Sequence, residues 1–249
     1  MRKLFFSAFG AFFLLLSASW ILNDFKAEQL RYKRVREAYA EKETAVKAVL
    51  EKHNIEQGKL TVYIRAFKEE GLLELWGKNN SDKTYQLLET IAICESSGQL
   101  GPKRKQGDRQ VPEGFYHIDR FNPASNFYLS LGINYPNKSD RILGNKQSLG
   151  GDIFIHGNCV TIGCIPITNT HIQTVYLYCV EAKNNGQQNI PVTIFPFVPS
   201  QENMKKHGTA EYQEFMPLWS SLMEAHTYFM KHKSLPSIGF NTDGSHTIY

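Results

Sequence analysis

One histidine and two cysteines, His156, Cys159 and Cys164, fall inside the ten residues IHGNCVTIGC. Three chemistries could use such a set. Metal binding is the poorest fit. The spacing reads H-x2-C-x4-C, whereas structural zinc favours four ligands with tight C-x2-C pairs, and Cys94 and Cys179 stand alone. A zinc deaminase would need glutamate two residues after the histidine, and position 158 is Asn. No metal and no organic cofactor is therefore expected. A Cys159–Cys164 disulfide would close a tight loop and consume a thiol. Nucleophilic catalysis fits better, because an imidazole that takes the thiol proton generates the attacking thiolate. The bland alternative is a core cysteine beside a satisfied histidine.

GGDIFIHG reads as a strand ending at His156-Gly157, and Thr161-Ile162-Gly163-Cys164 as a turn that returns a thiol to the imidazole. Gly163 allows close backbone approach, so amides near Gly163 and Cys164 could form an oxyanion hole. Cys164 is the expected nucleophile and His156 the expected base. Cys159 is left as a neighbour, a redox guard or a packing group, and its removal should leave substantial activity. Lys103, Arg104, Lys105 and Arg109 form a basic loop that could attract carboxylates or simply be solvated. Asn158 and Thr161 could bind substrate or shape the loop. His117 reads as structural.

These residues need a scaffold. LTVYIRAF, GLLELW, TYQLLETIAIC, GFYHID, NFYLSL, GGDIFIHG and PVTIFPF are short runs rich in β-branched and aromatic residues. They predict a mainly β domain with flanking helices, an α+β fold around a sandwich or barrel core. Thr168 can cap a helix over 168–184, with Ile172, Val175, Tyr176, Cys179 and Val180 on one face. Cys179 is thus a core thiol or disulfide partner. A second helical segment is expected over about 209–233, kinked or delayed by Pro217, packing on the core or covering the site.

Before the strands, residues 26–53 are charged and free of Gly and Pro, predicting a helix that serves as a spacer or brace and ends at Gly58. The domain divisions are then 1–22, a signal peptide or membrane anchor; 23–57, a helical spacer; 58–199, the catalytic domain; and 200–249, a C-terminal helical extension. Arg2 and Lys3 precede the uncharged run Leu4 to Leu16, and Ser17-Ala18-Ser19 follows, the pattern of an export signal. Read to Leu22 the apolar run is about 19 residues, near the lower range for a spanning helix. No cysteine follows it, so a lipoprotein anchor is not expected. Export would place all four cysteines in an oxidising compartment, the periplasm or the outer face of the cytoplasmic membrane. If one thiol works, at most one disulfide remains. The net charge of +4 over 249 residues is too diffuse to argue for nucleic acid and suits an acidic wall peptide as well.

Ile155-His156-Gly157 followed by Thr161-Ile162-Gly163-Cys164 resembles the signature of the YkuD-type L,D-transpeptidase catalytic domain, an I-H-G element and then S/T-x-G-C. GPKRKQGDRQVPEGFYHID resembles the family's stretch leading into T-P-x-G-x-Y, with Pro112, Gly114 and Tyr116 in place and Val111 for threonine. The resemblance spans about residues 58–199. The short loop after His156, and Pro166 where arginine is common, resemble the YafK-like branch. The resemblance implies a cell-wall enzyme acting on peptidoglycan stem peptides, with Cys164 as nucleophile, His156 as base, the Gly157 carbonyl orienting the imidazole, and Gly163 in the oxyanion hole. Asn158, Thr161, Arg104, Arg109 and Tyr116 are the candidates for substrate contact. An amine acceptor would give crosslinks or attach a lipoprotein, while water would make the enzyme a hydrolase. A non-catalytic wall-binding module is the remaining alternative.

Overall fold

The structure, a computed structural model, describes residues 24–249, so the expected signal or anchor at 1–22 lies outside the described residues. Ten strands are described: β1 Leu60–Phe67, β2 Leu72–Asn79, β3 Gln86–Ala92, β4 Gly114–Asn122, β5 Ser130–Ile133, β6 Phe154–His156, β7 Ile165–Pro166, β8 Ile190–Phe195, β9 Ile238–Phe240 and β10 His246–Ile248. The first eight form one curled sheet in the order β3-β2-β1-β8-β4-β5-β6-β7. Its β1–β8 and β6–β7 pairs are parallel. The α+β expectation holds.

Alternation along β1 shows why this sheet is covered on both faces. Leu60, Val62, Ile64 and Ala66 enter the main core, which also holds α4 (Asn169–Asn184). Tyr63 and Phe67 point the other way, with buried Arg65, whose guanidinium lies over the rings of Phe67, Phe195 and Phe229. That second face is covered by α6 (Met216–His232), through Trp219, Leu222 and Phe229. Pro217 does not kink α6. It sits in the first turn, where its missing N–H costs nothing, and so starts the helix late. Trp219 Nε1 donates to Glu113 Oε2 at 2.8 Å, while Glu113 Oε1 accepts from Lys68 Nζ at 2.8 Å. The helix is thereby tied to the strand that follows the basic loop.

The segment read as a spacer is packed into the domain. It divides into α1 (Phe25–Gln29) and α2 (Lys33–Lys52), and α2 buries Val35, Ala38, Tyr39, Val46 and Leu50 in the main core. Their spacing of three, four and seven makes one apolar stripe, and the charges lie on the other side. Tyr39 donates to Glu181 of α4 at 2.7 Å, and Lys26 pairs with the same carboxylate at 2.7 Å. The helix stops at Lys52, six residues before Gly58, and Asn54 takes the left-handed turn at φ 55°. Three elements were not anticipated: α3 (Lys138–Leu143), α5 (Gln201–His207) and the β9–β10 hairpin. The hairpin clamps α3, with Ser139 donating to the Gly244 carbonyl and Lys138 to that of Phe240. Among the described residues no helix is long and apolar enough to cross a membrane.

Candidate active site

β6 pairs antiparallel with β5, placing His156 opposite Ser130 at the strand's end. β7 pairs parallel with β6, Ile155 against Ile165, which brings Cys164 beside the strand that carries the histidine. Loop 157–163 joins the two. His156 is buried, with its Nδ1 2.5 Å from the Gly157 carbonyl. A carbonyl oxygen can only accept, so Nδ1 carries the proton and the neutral ring keeps Nε2 as its base. Burial pushes the imidazole below its ordinary value, against the raising effect of the Gly157 bond, so the ring is neutral near pH 7. Phe127 lies over it at 4.6 Å between centroids. Gly157 is required by space: a Cβ there would stand 2.5 Å from Asn169 Oδ1, which accepts from the Asn158 amide.

Cys164 is partly exposed, and burial raises its thiol above the ordinary value. The resting pair is therefore a neutral thiol and a neutral imidazole rather than a preformed ion pair. Sγ donates to the Asp152 carbonyl at 3.7 Å, and no hydrogen bond joins it to His156. The thiol must turn to reach the ring, as is common before substrate binds. Gly163 adopts φ 137°, and a Cβ there would meet the Gln110 carbonyl at 3.0 Å. The nucleophile's turn therefore sits directly against the end of the basic loop. A pocket of about 270 Å³ opens on Cys164, walled by Ile93, residues 95–100, Val111, Ile165 and Ile194.

Cys159 has a partner that spacing did not reveal. It is disulfide-bonded to Cys94, with Cα atoms 5.5 Å apart across 65 residues of sequence. Cys164 and Cys179 are the free cysteines, and Cys179 is fully buried in α4. Cys159 is therefore a disulfide partner of Cys94, not of Cys164, and not a free neighbouring thiol. Among the described residues no group of three His, Cys, Asp or Glu could hold a metal ion.

The family model of the L,D-transpeptidase catalytic domain, YkuD, matches residues 61–194. The chain belongs to the YkuD family. A protein of Escherichia coli (strain K12) named "Putative L,D-transpeptidase YafK" is 39% identical over 179 residues, 71% of this chain and 70% of that protein. Its counterpart in Escherichia coli O157:H7 gives the same figures. The crystal structure of the helical cell shape determining protein Pgp2 from Campylobacter jejuni aligns over 74% of this chain and 73% of its own, at 18% identity and a TM-score of 0.44. The YkuD match begins in β1 and ends in β8, so α1, α2, α5, α6 and the hairpin lie outside it.

Within this YkuD domain the remaining candidates separate. Tyr116 is buried, its hydroxyl 3.0 Å from Asp140 Oδ2, and Arg104 pairs with Asp140 Oδ1 at 3.3 Å. Tyr116 is thus engaged inside the fold, while Arg104 pairs inward but remains half-buried. Lys103 is likewise buried against Asp108 at 2.6 Å. Asp108, not singled out from sequence, organises the basic loop: its carboxylate also accepts from the amides of Arg104, Lys105 and Gln110. A D-x-Q tripeptide offers little signal for such a role. Arg109 is exposed, adopts φ 58°, and makes no ion pair among the described residues. It precedes Gln110, which touches Gly163, so it is the candidate cation left beside the nucleophile's turn. Asn158 is exposed at φ 62°, with its amide held by Asn169.

Thr161 is used internally. Its Oγ1 accepts from the Gly163 amide at 3.1 Å and the Cys164 amide at 2.8 Å, and donates to the Cys164 carbonyl at 2.8 Å. One hydroxyl has two lone pairs and one proton, so it is saturated. The amides expected to form the oxyanion hole are thus held by Thr161, and a substrate oxygen must displace Oγ1 to use them. Thr161→Val frees those amides but also unties the turn that positions Cys164 through its amide and carbonyl. With that positioning lost, the acylation rate constant should fall by about 10- to 100-fold, the size of one or two lost hydrogen bonds, with affinity little changed. Thr161→Ser should retain most of it. Stopped-flow acylation by a carbapenem reads this, and equal rates for Val and Ser would refute it.

Asp140 gives a pH prediction for stability. Burial pushes its carboxyl up to about 6, outweighing the Asn137 amide and Arg104, which pull it down. Between about pH 4 and 6 the unfolded chain releases this proton and the folded one keeps it, so rising pH lowers stability through that window. Asp140→Asn removes the effect. Relative to wild type, the Asn variant should gain about 3 kcal/mol as pH rises from 3.5 to 7, on top of any fixed offset. Urea unfolding at both pH values checks this, and a difference that does not move with pH counts against it.

Proposed function

We propose that the protein is an exported cell-wall enzyme that forms a thioester between Cys164 and a peptidoglycan stem peptide. The observation that carries this reading is the buried neutral His156, its Nδ1 committed to the Gly157 carbonyl, on the strand next to a free, pocket-facing Cys164. YkuD membership supports a peptidoglycan-related transpeptidase role, and the relative named as an L,D-transpeptidase agrees.

His156 Nε2 takes the Cys164 proton. Sulfur attacks the carbonyl of the stem's third residue, meso-diaminopimelate or similar. A C–S bond forms and the oxygen becomes an oxyanion, which draws the Gly163 and Cys164 amides from Thr161; one such donor is worth about 3 kcal/mol in other acyl-transfer enzymes. Collapse breaks the C–N bond to the terminal D-alanine, which leaves with the proton from the imidazolium. An amine from a neighbouring stem, or a lipoprotein lysine, then attacks the thioester and restores the thiol. Arg109 would bind a stem carboxylate in place of the arginine that Pro166 displaces, and Asn158 would contact the peptide at the other end of the loop. Retention of segment 1–22 would make the enzyme a membrane-tethered one.

Purified oxidised protein incubated with disaccharide tetrapeptides decides the outcome. Dimers with 3-3 crosslinks support transfer. Release of D-alanine without dimers, or cleavage of existing crosslinks or protein-linked stems, identifies a hydrolase of the same fold. No change in any muropeptide leaves a wall-binding module.

A further inference from the structure

The residues between the proposed base and nucleophile are nearly unsupported by packing. Asn158, Cys159, Val160 and Ile162 are exposed, Ile162 at 78% and Val160 at 55%. The loop is pinned at its start by the Asn158 amide on Asn169 and at its end by the Thr161 turn. β7, which follows, is two residues long and forms the edge of the sheet. Cys159 lies at the middle of this span, and its bond to Cys94 is the tertiary anchor there.

The other end of that bond is placed to matter. The Cys94 amide donates to the Pro166 carbonyl at 3.0 Å, so Cys94 braces β7 directly behind the nucleophile. Ile93 before it and residues 95–100 after it wall the pocket that opens on Cys164. The disulfide and the Cys94 amide bond together therefore connect the loop between His156 and Cys164, the strand that follows the nucleophile, and the pocket wall. Cys159 is exposed, which makes the link accessible to thiols.

We propose that Cys94 and Cys159 are positioning residues for acylation: their disulfide holds loop 157–163 and the pocket wall in register with Cys164, and its reduction withdraws the nucleophile from working geometry. This rests on Cys164 being the nucleophile. In the reductive step a dithiol thiolate attacks one sulfur and forms a mixed disulfide; its second thiol then closes on the first. Two electrons and two protons pass to Cys94 and Cys159, the reductant leaves as a cyclic disulfide, and Cys164 is not consumed. Activity then depends on an oxidising compartment even though the working thiol itself must stay reduced.

The test uses the full chain, oxidised or treated with dithiothreitol and desalted. Alkylation under denaturant should count two free thiols before reduction and four after it. Carbapenem acylation of Cys164 should slow at least tenfold on reduction, in the maximal rate constant rather than in the half-saturating concentration. Hydrogen exchange should accelerate at residues 93–100 and 157–166 and nowhere else. Cys94→Ser/Cys159→Ser should start at the reduced rate and ignore dithiothreitol, with an unchanged far-UV spectrum. A link that only stabilised the fold would lower the melting temperature and leave the acylation rate constant intact, which overturns the proposal. If neither redox form acylates, the nucleophile reading fails by itself; exchange in the two segments and iodoacetamide reactivity of Cys164 still decide the link's role, and equality of both between forms overturns it.

Discussion

Cys164→Ala is expected to give a folded protein that takes up no carbapenem and makes no 3-3 crosslink, a loss of at least about 10⁴-fold, in line with removal of a nucleophile elsewhere. The substitution deletes a sulfur that is partly exposed and makes one weak bond to the Asp152 carbonyl, so stability should hardly change. The other free thiol is the control. Cys179 is fully buried in the core, and burial pushes its thiol far above the ordinary range. It offers no thiolate and no access, so Cys179→Ala should still form the adduct. Intact-mass analysis separates the cases. An adduct that persists in Cys164→Ala and disappears in a Cys159 variant would reverse the assignment.

His156→Gln should cost about 10²- to 10⁴-fold in acylation, the usual size of a lost general base. Glutamine can still donate to the Gly157 carbonyl, so the loop should keep its shape while Nε2 basicity is lost. The pH profile is the more telling readout. In wild type the acylation rate should fall on acidification, with a midpoint below the ordinary histidine value of 6.5, because burial favours the neutral ring. The glutamine variant should lack that limb. Its residual rate should instead climb toward alkaline pH with ionisation of the thiol, which burial has raised. A wild-type profile flat down to pH 4, or a glutamine variant that keeps the acid limb, would remove His156 from the mechanism.

The parts of this molecule that could be read from sequence are those set by periodicity and local chemistry. The β-branched and aromatic run LTVYIRAF marks β1, whose residues are nearly all buried because both faces of the strand are covered, and Thr168 marks the start of α4 because its side chain accepts from the His171 amide. Gly157 and Gly163 declare backbone needs that only glycine meets. Four matters were not legible. The packing of α2 depends on what α4 offers opposite its apolar stripe, and a charged majority concealed that stripe. Pro217 shows where a helix cannot continue, and equally where one can begin. The pairing of Cys94 with Cys159 is a distance in space over 65 residues of chain. Arg104 and Tyr116 carry the right chemistry for a carboxylate ligand and have already found one in Asp140. Short motifs name groups; competing partners inside the fold decide which of them remain available.

Helix α4 also works as a ruler. At one end Asn169 holds the Gly157–Asn158 corner of the catalytic loop; at the other Asn184 accepts from the Lys26 amide, close to where the described chain begins. The helix, Asn169–Asn184, sets about 22 Å between the two at 1.5 Å per residue. Among the described residues the catalytic loop therefore stands at a fixed distance from the start of α1, set by packed helix rather than by a linker. Lengthening α2 would not change that distance, because α2 runs along the body of the domain and packs on α4.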